Sequence, residues 1–283
     1  MSDSPYIDSL EAIAGDYDAL ACDAWGVIHN GRKLLAGAAD ALRRFQETRG
    51  PVVIVTNAPK PSAIIPAQLD RLGLPRAAWS GIVTSGDATR LEMEKHYPAP
   101  AWRIGPGFDD ALFEGAKVRF ASPEDAEFIV CTGLDDGFNE APEDYRERLA
   151  GAAERRLPMV CANPDVSVNW GGKHMWCAGA LAQLYESLGG ETIYGGKPFA
   201  PIYEAVTQEI ERAAGAPVAA NRILAIGDGL DTDILGANRQ GFDALLVAGE
   251  GGLLDGASGR DEIASALKTR GLSVRAVMEG LRW

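Results

Sequence analysis

Four short apolar runs, each closing on a small or polar residue, constrain this chain more than any other feature. They are residues 17–22 ending at Asp23, 51–55 ending at Thr56 and Asn57, 223–226 ending at Gly227 and Asp228, and 244–247 ending at Ala248 and Gly249. Continuous apolar runs of this length read as strands covered on both faces, the kind that build parallel sheets. Segments with helical spacing separate them: 36–49, with Leu42 and Phe45 opposite charged positions, 201–214, opening on Pro201, then 233–240 and 260–268. Strands alternating with helices predict an α/β fold with a doubly wound, Rossmann-like parallel sheet.

The middle of the chain departs from that rhythm. Between Asn57 and Lys197 lies enough sequence for a second domain, with further strand-like runs at 79–84, 101–104, 128–131 and 159–161. The simplest arrangement is a core interrupted by an inserted α/β domain. The expected boundaries are 1–60 and 195–283 for the core and 61–194 for the insertion.

Charge narrows the partners. The 283 residues carry a formal charge of −13, with a pI near 4.7. Binding to nucleic acid or to anionic lipid rests on basic side chains, so both are disfavoured. A small anionic substrate needs a local cluster of donors or a cation. Cys22, Cys131, Cys161 and Cys177 form no CxxC pair and sit in apolar surroundings, as buried reduced thiols do. No stretch approaches the roughly 20 apolar residues of a membrane helix, and the first residues lack a basic, apolar leader. A reducing cytoplasm is the expected compartment.

In an open parallel sheet, ligands bind beyond the carboxyl ends of the strands. Asp23, Thr56, Asn57 and Asp228 all fall there, although distant in sequence. Gly26, within Asp23-Ala24-Trp25-Gly26, permits a sharp turn. Thr56-Asn57 offers a hydroxyl and amides to phosphate oxygens. Gly195-Gly196-Lys197-Pro198 sets one lysine before a helix. Gly227-Asp228-Gly229-Leu230-Asp231-Thr232-Asp233 supplies hard oxygen ligands of the sort Mg²⁺ takes, without the downstream glutamate of an EF-hand. Singly, each is an ordinary turn, cap or surface residue. Together they describe phosphoryl transfer. Mg²⁺ between Asp23 and Asp228 would offset repulsion between an anionic nucleophile and a dianionic ester, Lys197 would add positive charge, and Thr56 would orient the phosphate. Asp23 would attack phosphorus, and water would later hydrolyse the aspartyl-phosphate.

The stretches CDAWGVIHNG, VIVTNAPK, GGKPFAPIYE and AIGDGLDTDILGANRQGFDALLV make the chain resemble the haloacid dehalogenase-like (HAD) phosphohydrolases, in particular class IIA, whose type-2 α/β cap lies between the second and third motifs. The resemblance implies Asp23 as nucleophile, Asp228 as metal ligand, and Asp233 as metal ligand or outer-shell acid. It also implies phosphate contacts from Thr56 and Lys197, and a backbone carbonyl of Trp25 in the metal shell. One departure stands out. The family's phosphatases usually carry Asp-x-Asp in the first motif, and here Trp25 occupies the position of the second aspartate, the general acid and base. Loss of such a group slows its steps by roughly 10²–10⁴-fold. His29 is the nearby candidate substitute, although a histidine at such a position is more often a hydrogen-bonded loop residue.

In similar proteins a segment of the cap projects over the active site. Residues 166–177, expected as a loop, supply Trp170, Lys173, His174 and Trp176 as candidate substrate contacts, with Asn57 beside them; the large aromatics could equally plug the cap's core. The expected function is a Mg²⁺-dependent phosphatase of a small phosphorylated metabolite, slowed by Trp25. A phosphate-ester-binding or regulatory protein with little turnover, and a phosphonatase-like or phosphotransfer activity, stay open beside it. Neither nucleic acid nor membrane is an expected partner, and a homo-oligomer is compatible with the sequence.

Overall fold

The computed structural model describes residues 5–170, 172–249 and 259–283. In chain order, β1 (Ala19–Asp23), β2 (Val52–Thr56) and β3 (Gly81–Thr84) are followed by β4 (Pro100–Ile104), β5 (Arg119–Phe120), β6 (Phe128–Cys131), β7 (Pro158–Cys161), β8 (Ser167–Trp170), β9 (Lys173–Trp176) and β10 (Glu191–Tyr194). Then come β11 (Ile223–Gly227), β12 (Asp243–Val247) and β13 (Ala276–Met278). They divide between two compact units. One comprises Met1–Thr56, Ile65–Val83 and Tyr203–Trp283, the other Asn57–Ile64 and Thr84–Ile202.

The first unit holds a six-stranded sheet in the order β13-β12-β11-β1-β2-β3. Its β1–β11, β1–β2, β11–β12 and β12–β13 pairs are parallel. Every residue of β1, β2 and β11 is buried, as uninterrupted apolar runs require of a sheet covered on both faces. The helix Ala38–Thr48 buries Ala38, Ala41, Leu42 and Phe45, one stripe at helical spacing, against Leu20, Val52 and Leu224. The chain leaves β1 toward β2 on one side and β11 lies on the other, so the order reverses between β1 and β11. Such a switch point is where a doubly wound sheet opens a crevice.

The second unit carries its own parallel sheet, β10-β7-β6-β4-β5. On one face Ile129, Cys131 and Met159 pack with Leu149, Leu181 and Tyr185 from the helices Arg146–Glu154 and Ala178–Ser187. On the other, Phe128, Val130 and Val160 pack with Met93 from Ser85–His96. Thr84 caps that last helix by accepting the Asp87 N–H at 3.1 Å.

Two expectations are corrected. Residues 79–84 do not belong to the inserted sheet. They form the edge strand β3 beside β2, and Ile65, Leu69, Leu74 and Trp79 pack into the first core, so the division falls at 57–64 and 84–202 rather than at 61–194. An apolar run shows that a strand is buried but not which sheet it joins. Residues 166–177 are not a loop either. β8 and β9 pair antiparallel as a hairpin, with Ser167 opposite Trp176 and Trp170 opposite Lys173. All four cysteines are free and buried. Among the described residues no helix is long and apolar enough to cross a membrane.

Candidate active site

Asp23 is the last residue of β1, and Asp228 follows β11 directly. Parallel register sets Cys22 opposite Ile226, so both carboxylates emerge at the switch point. Asp233 joins them from the turn Leu230–Ile234, which leads into the helix Leu235–Gln240. One oxygen from each of Asp23, Asp228 and Asp233 lies within 4.8 Å of the others, and all three residues are buried.

Two glycines make that packing attainable. Gly26 has φ +81°, and a Cβ there would stand 2.5 Å from Asp228 Oδ2. A Cβ on Gly227 would stand 2.2 Å from Asp233 Cγ. The backbone therefore comes against both carboxylates where any side chain would displace them. Asp233 Oδ2 also accepts the Gly229 N–H at 3.1 Å, which holds its turn against the end of β11.

Three buried carboxylates at this spacing repel one another unless positive charge lies between them. Their donor set is all oxygen and anionic, which fits a hard divalent cation. No other group of three or more His, Cys, Asp or Glu side chains with this geometry occurs among the described residues.

Trp25 and His29 are packed within their own loop. The Trp25 ring lies where a Cβ on Gly31 would fall, 2.5 Å from Trp25 Cη2, and meets the His29 ring edge-on at 5.5 Å. His29 is buried, and its Nδ1 accepts the Gly31 N–H at 3.1 Å. Burial pushes its imidazole down to about 4. The expected substitute acid is thus a neutral, hydrogen-bonded loop histidine.

In the second unit, Lys197 is 4% exposed. Its backbone N–H donates to Asn57 Oδ1 at 2.8 Å, and its carbonyl accepts from Asn57 Nδ2 at 3.3 Å. Asn57 Nδ2 also donates to Asp165 Oδ1 at 2.9 Å. The Asn57 side-chain amide holds Lys197 and Asp165 together.

The hairpin residues separate into two groups. Trp176 packs against the second unit's core, so the plugging alternative describes it. His174 and Lys173 are exposed, with His174 edge-on to Trp176 at 4.6 Å. Trp170 meets two rings the sequence reading passed over, Phe108 at 6.3 Å and Phe138 at 6.4 Å. Those rings follow β4 and β6, and the rule that pointed to Asp23 and Asp228, applied to the second sheet, would have found them.

Residues 20–118 match a haloacid dehalogenase-like hydrolase family and residues 194–266 a HAD-hydrolase-like family. A crystal structure of a haloacid dehalogenase-like hydrolase from Brucella suis 1330 is 40% identical, with TM-score 0.87 over 97% of this chain and 99% of that one. Among curated relatives, a glycerol-3-phosphate phosphatase of Gallus gallus is 25% identical, covering 85% of this chain and 82% of its own. The ribonucleotide monophosphatase NagD of Escherichia coli K12 is 25% identical, covering 86% and 90%. The chain belongs to the haloacid dehalogenase-like hydrolases, in the class IIA arrangement with a cap domain. Within that family it is a phosphohydrolase.

Proposed function

We propose that the protein is a Mg²⁺-dependent phosphatase of a small phosphorylated metabolite, with Asp23 as nucleophile. The observation that carries this reading is the convergence of Asp23, Asp228 and Asp233 at the switch point of the first sheet. The relatives named above act on phosphate monoesters of glycerol and of ribonucleotides, which supports a small ester as substrate.

Asp228 and Asp233, with Asp23 itself and the Trp25 carbonyl, are the ligands this reading assigns to the cation. When bound, Mg²⁺ would screen the anionic nucleophile from the anionic ester and polarise the phosphoryl oxygens. The Asp23 carboxylate attacks phosphorus, the bond to the leaving oxygen breaks, and the phosphoryl group passes to Asp23. Water then cleaves the aspartyl-phosphate and releases inorganic phosphate. Thr56 orients the phosphate, and Lys197, its backbone clamped by Asn57, supplies a fixed positive charge. Trp25 offers only an indole N–H, far too weak an acid to protonate the leaving oxygen, and burial holds the His29 pKa down to about 4, so departure is unassisted. Turnover is slow and depends on how well the leaving group bears negative charge.

Phosphate release from p-nitrophenyl phosphate and from glycerol phosphate, with Mg²⁺, tests this. Activity is expected in the wild type and absent in Asp23→Asn. Trp25→Asp is expected to raise turnover of glycerol phosphate at least about tenfold and that of the nitrophenyl ester less, because only the alkoxide needs an acid. An unchanged or lower rate in a folded Trp25→Asp protein would contradict the account of the missing acid. A wild type that binds Mg²⁺ and phosphate without turnover would favour a phosphate-ester-binding protein, the reading Trp25 supports. Four buried free thiols are consistent with a reducing cytoplasm.

A further inference from the structure

Asp165 has no part in the phosphoryl transfer described above, yet the chain fixes it from several directions. It follows β7, whose Cys161 stands opposite Tyr194 of β10, so Asp165 and Lys197 leave neighbouring strands. The ladder runs one step further, with the Gly195 N–H donating to the Cys161 carbonyl at 3.2 Å. The Asp165 N–H donates to Asn163 Oδ1 at 3.0 Å, and its carbonyl accepts the Gly179 N–H at 3.0 Å from the helix Ala178–Ser187. A Cβ on Gly196 would stand 2.4 Å from Asn57 Oδ1 and 2.7 Å from Pro164 Cδ. The lysine loop is therefore bare where those two residues come against it. Asn57, residues 163–165 and residues 195–197 all belong to the second unit.

The Asn57 amide works only one way round. Its oxygen takes the Lys197 N–H at 2.8 Å, while its nitrogen donates to the Lys197 carbonyl at 3.3 Å and to Asp165 Oδ1 at 2.9 Å. Turned end for end, it would set donor against donor at the lysine amide and oxygen against oxygen at the carbonyl. Of the two bonds from Nδ2, the one to Asp165 is the shorter. Bonds to a carboxylate are also roughly twice as strong as those between neutral groups. A carboxylate can only accept, so Asp165 adds most to the preference for the working orientation.

We propose that Asp165 is a positioning residue for Lys197, acting through the Asn57 amide. The inference rests on the phosphatase reading, which assigns a phosphate contact to Lys197. Without the carboxylate, the amide is free to turn over and the backbone that carries the ammonium loses its clamp. The charge is still present but is no longer held in one place. What matters is the acceptor oxygen at residue 165, not its negative charge.

A double-mutant cycle tests this, read as kcat/KM for p-nitrophenyl phosphate and as calorimetric binding of inorganic phosphate, both with Mg²⁺. Asp165→Ala is expected to lower kcat/KM at least about tenfold, since small misplacements of a site group carry losses of that size. Asp165→Asn, which keeps an acceptor oxygen for Asn57 Nδ2, should recover most of the loss. In a Lys197→Met background, Asp165→Ala is expected to cost less than about twofold more, because the residue it serves is already gone. A merely structural residue would lower the melting temperature and cost the same with or without the lysine. If Asp165→Ala does not fold, Asp165→Ser, too short to reach Asn57, takes its place in the cycle. Full turnover in a folded Ala or Ser variant, or equal losses in both backgrounds, overturns the inference and leaves the phosphatase reading standing. So does an Asn variant as poor as the alanine one. A wild type without turnover, whose phosphate binding weakens on Asp165→Ala only when Lys197 is present, sinks the phosphatase reading and retains the positioning role. A wild type that binds no phosphate overturns both.

Discussion

Asp228 shows how a residue can be costly and useful at once. Its carboxylate is buried beside those of Asp23 and Asp233, so without a cation it adds repulsion to the folded state. Asp228→Asn removes one of three like charges while nearly preserving shape. The metal-free variant is therefore expected to melt a few degrees higher than the metal-free wild type, a shift of about 1 kcal/mol in a chain this size. Saturating Mg²⁺, which should stabilise the wild type by about 2.7 kcal/mol at a hundredfold excess over Kd, should leave the variant's melting temperature where it was. Scanning calorimetry with and without Mg²⁺ reads both effects. A variant that melts lower and still responds to Mg²⁺ would remove Asp228 from the ligand set. Asp23 and Asp228 were legible in the sequence because each closes an apolar run, whereas Asp233 came from the acidic stretch Gly227-Asp233 and the family resemblance. Trp25 was legible as a departure, and His29 read more readily as a hydrogen-bonded loop residue than as an acid. Its depressed pKa comes from burial, which a residue string does not display.

At the scale of an element, the turn after β4 is the most informative. The 3₁₀ segment Gly107–Leu112 buries Asp109 between two outward residues, Phe108 and Asp110. Desolvation pushes the Asp109 carboxyl up to about 6, against the opposing pull of Lys60, Thr132 and Arg103. The folded protein then holds a proton that the unfolded chain has already lost. Asp109 thus weakens the fold progressively as pH rises from about 4 to about 6 and by a constant amount above that, on the order of 3 kcal/mol. Asp109→Asn is uncharged throughout. Measured by urea unfolding, its stability relative to wild type is expected to climb by that amount between pH 4 and pH 7. A difference that does not vary with pH would place the carboxylate in water after all. The sequence marked β4, β6 and β7 as strands by their apolar runs. It missed β5 and β10, which are short and largely exposed or half-buried, and it read the β8–β9 hairpin as a loop because Gly, Asn and Lys interrupt the alternation.

For the whole molecule, the two units have separate cores and separate sheets. The acidic triad lies wholly in the first. Mg²⁺ is therefore expected to slow amide exchange along β1, β11 and the turn Leu230–Ile234 and to leave β6 and β7 unchanged, as followed by hydrogen-exchange mass spectrometry. Equal protection of both sheets would mean that the cation is not held by these three residues alone. The α/β class and the presence of an insertion followed from periodicity. The boundary did not, since 65–83 returns to the first sheet with no change in composition to announce it.

The pairing of β1 with β11 has a consequence for biosynthesis. Asp23 leaves the ribosome early, yet its neighbouring strand is made only after some two hundred further residues. Until then one flank of β1 exposes unmatched amides and carbonyls beside apolar side chains, the template on which chains stick to one another. A nascent or truncated product ending before Ile223 would therefore lack any cation pocket and would depend on chaperones to stay out of aggregates.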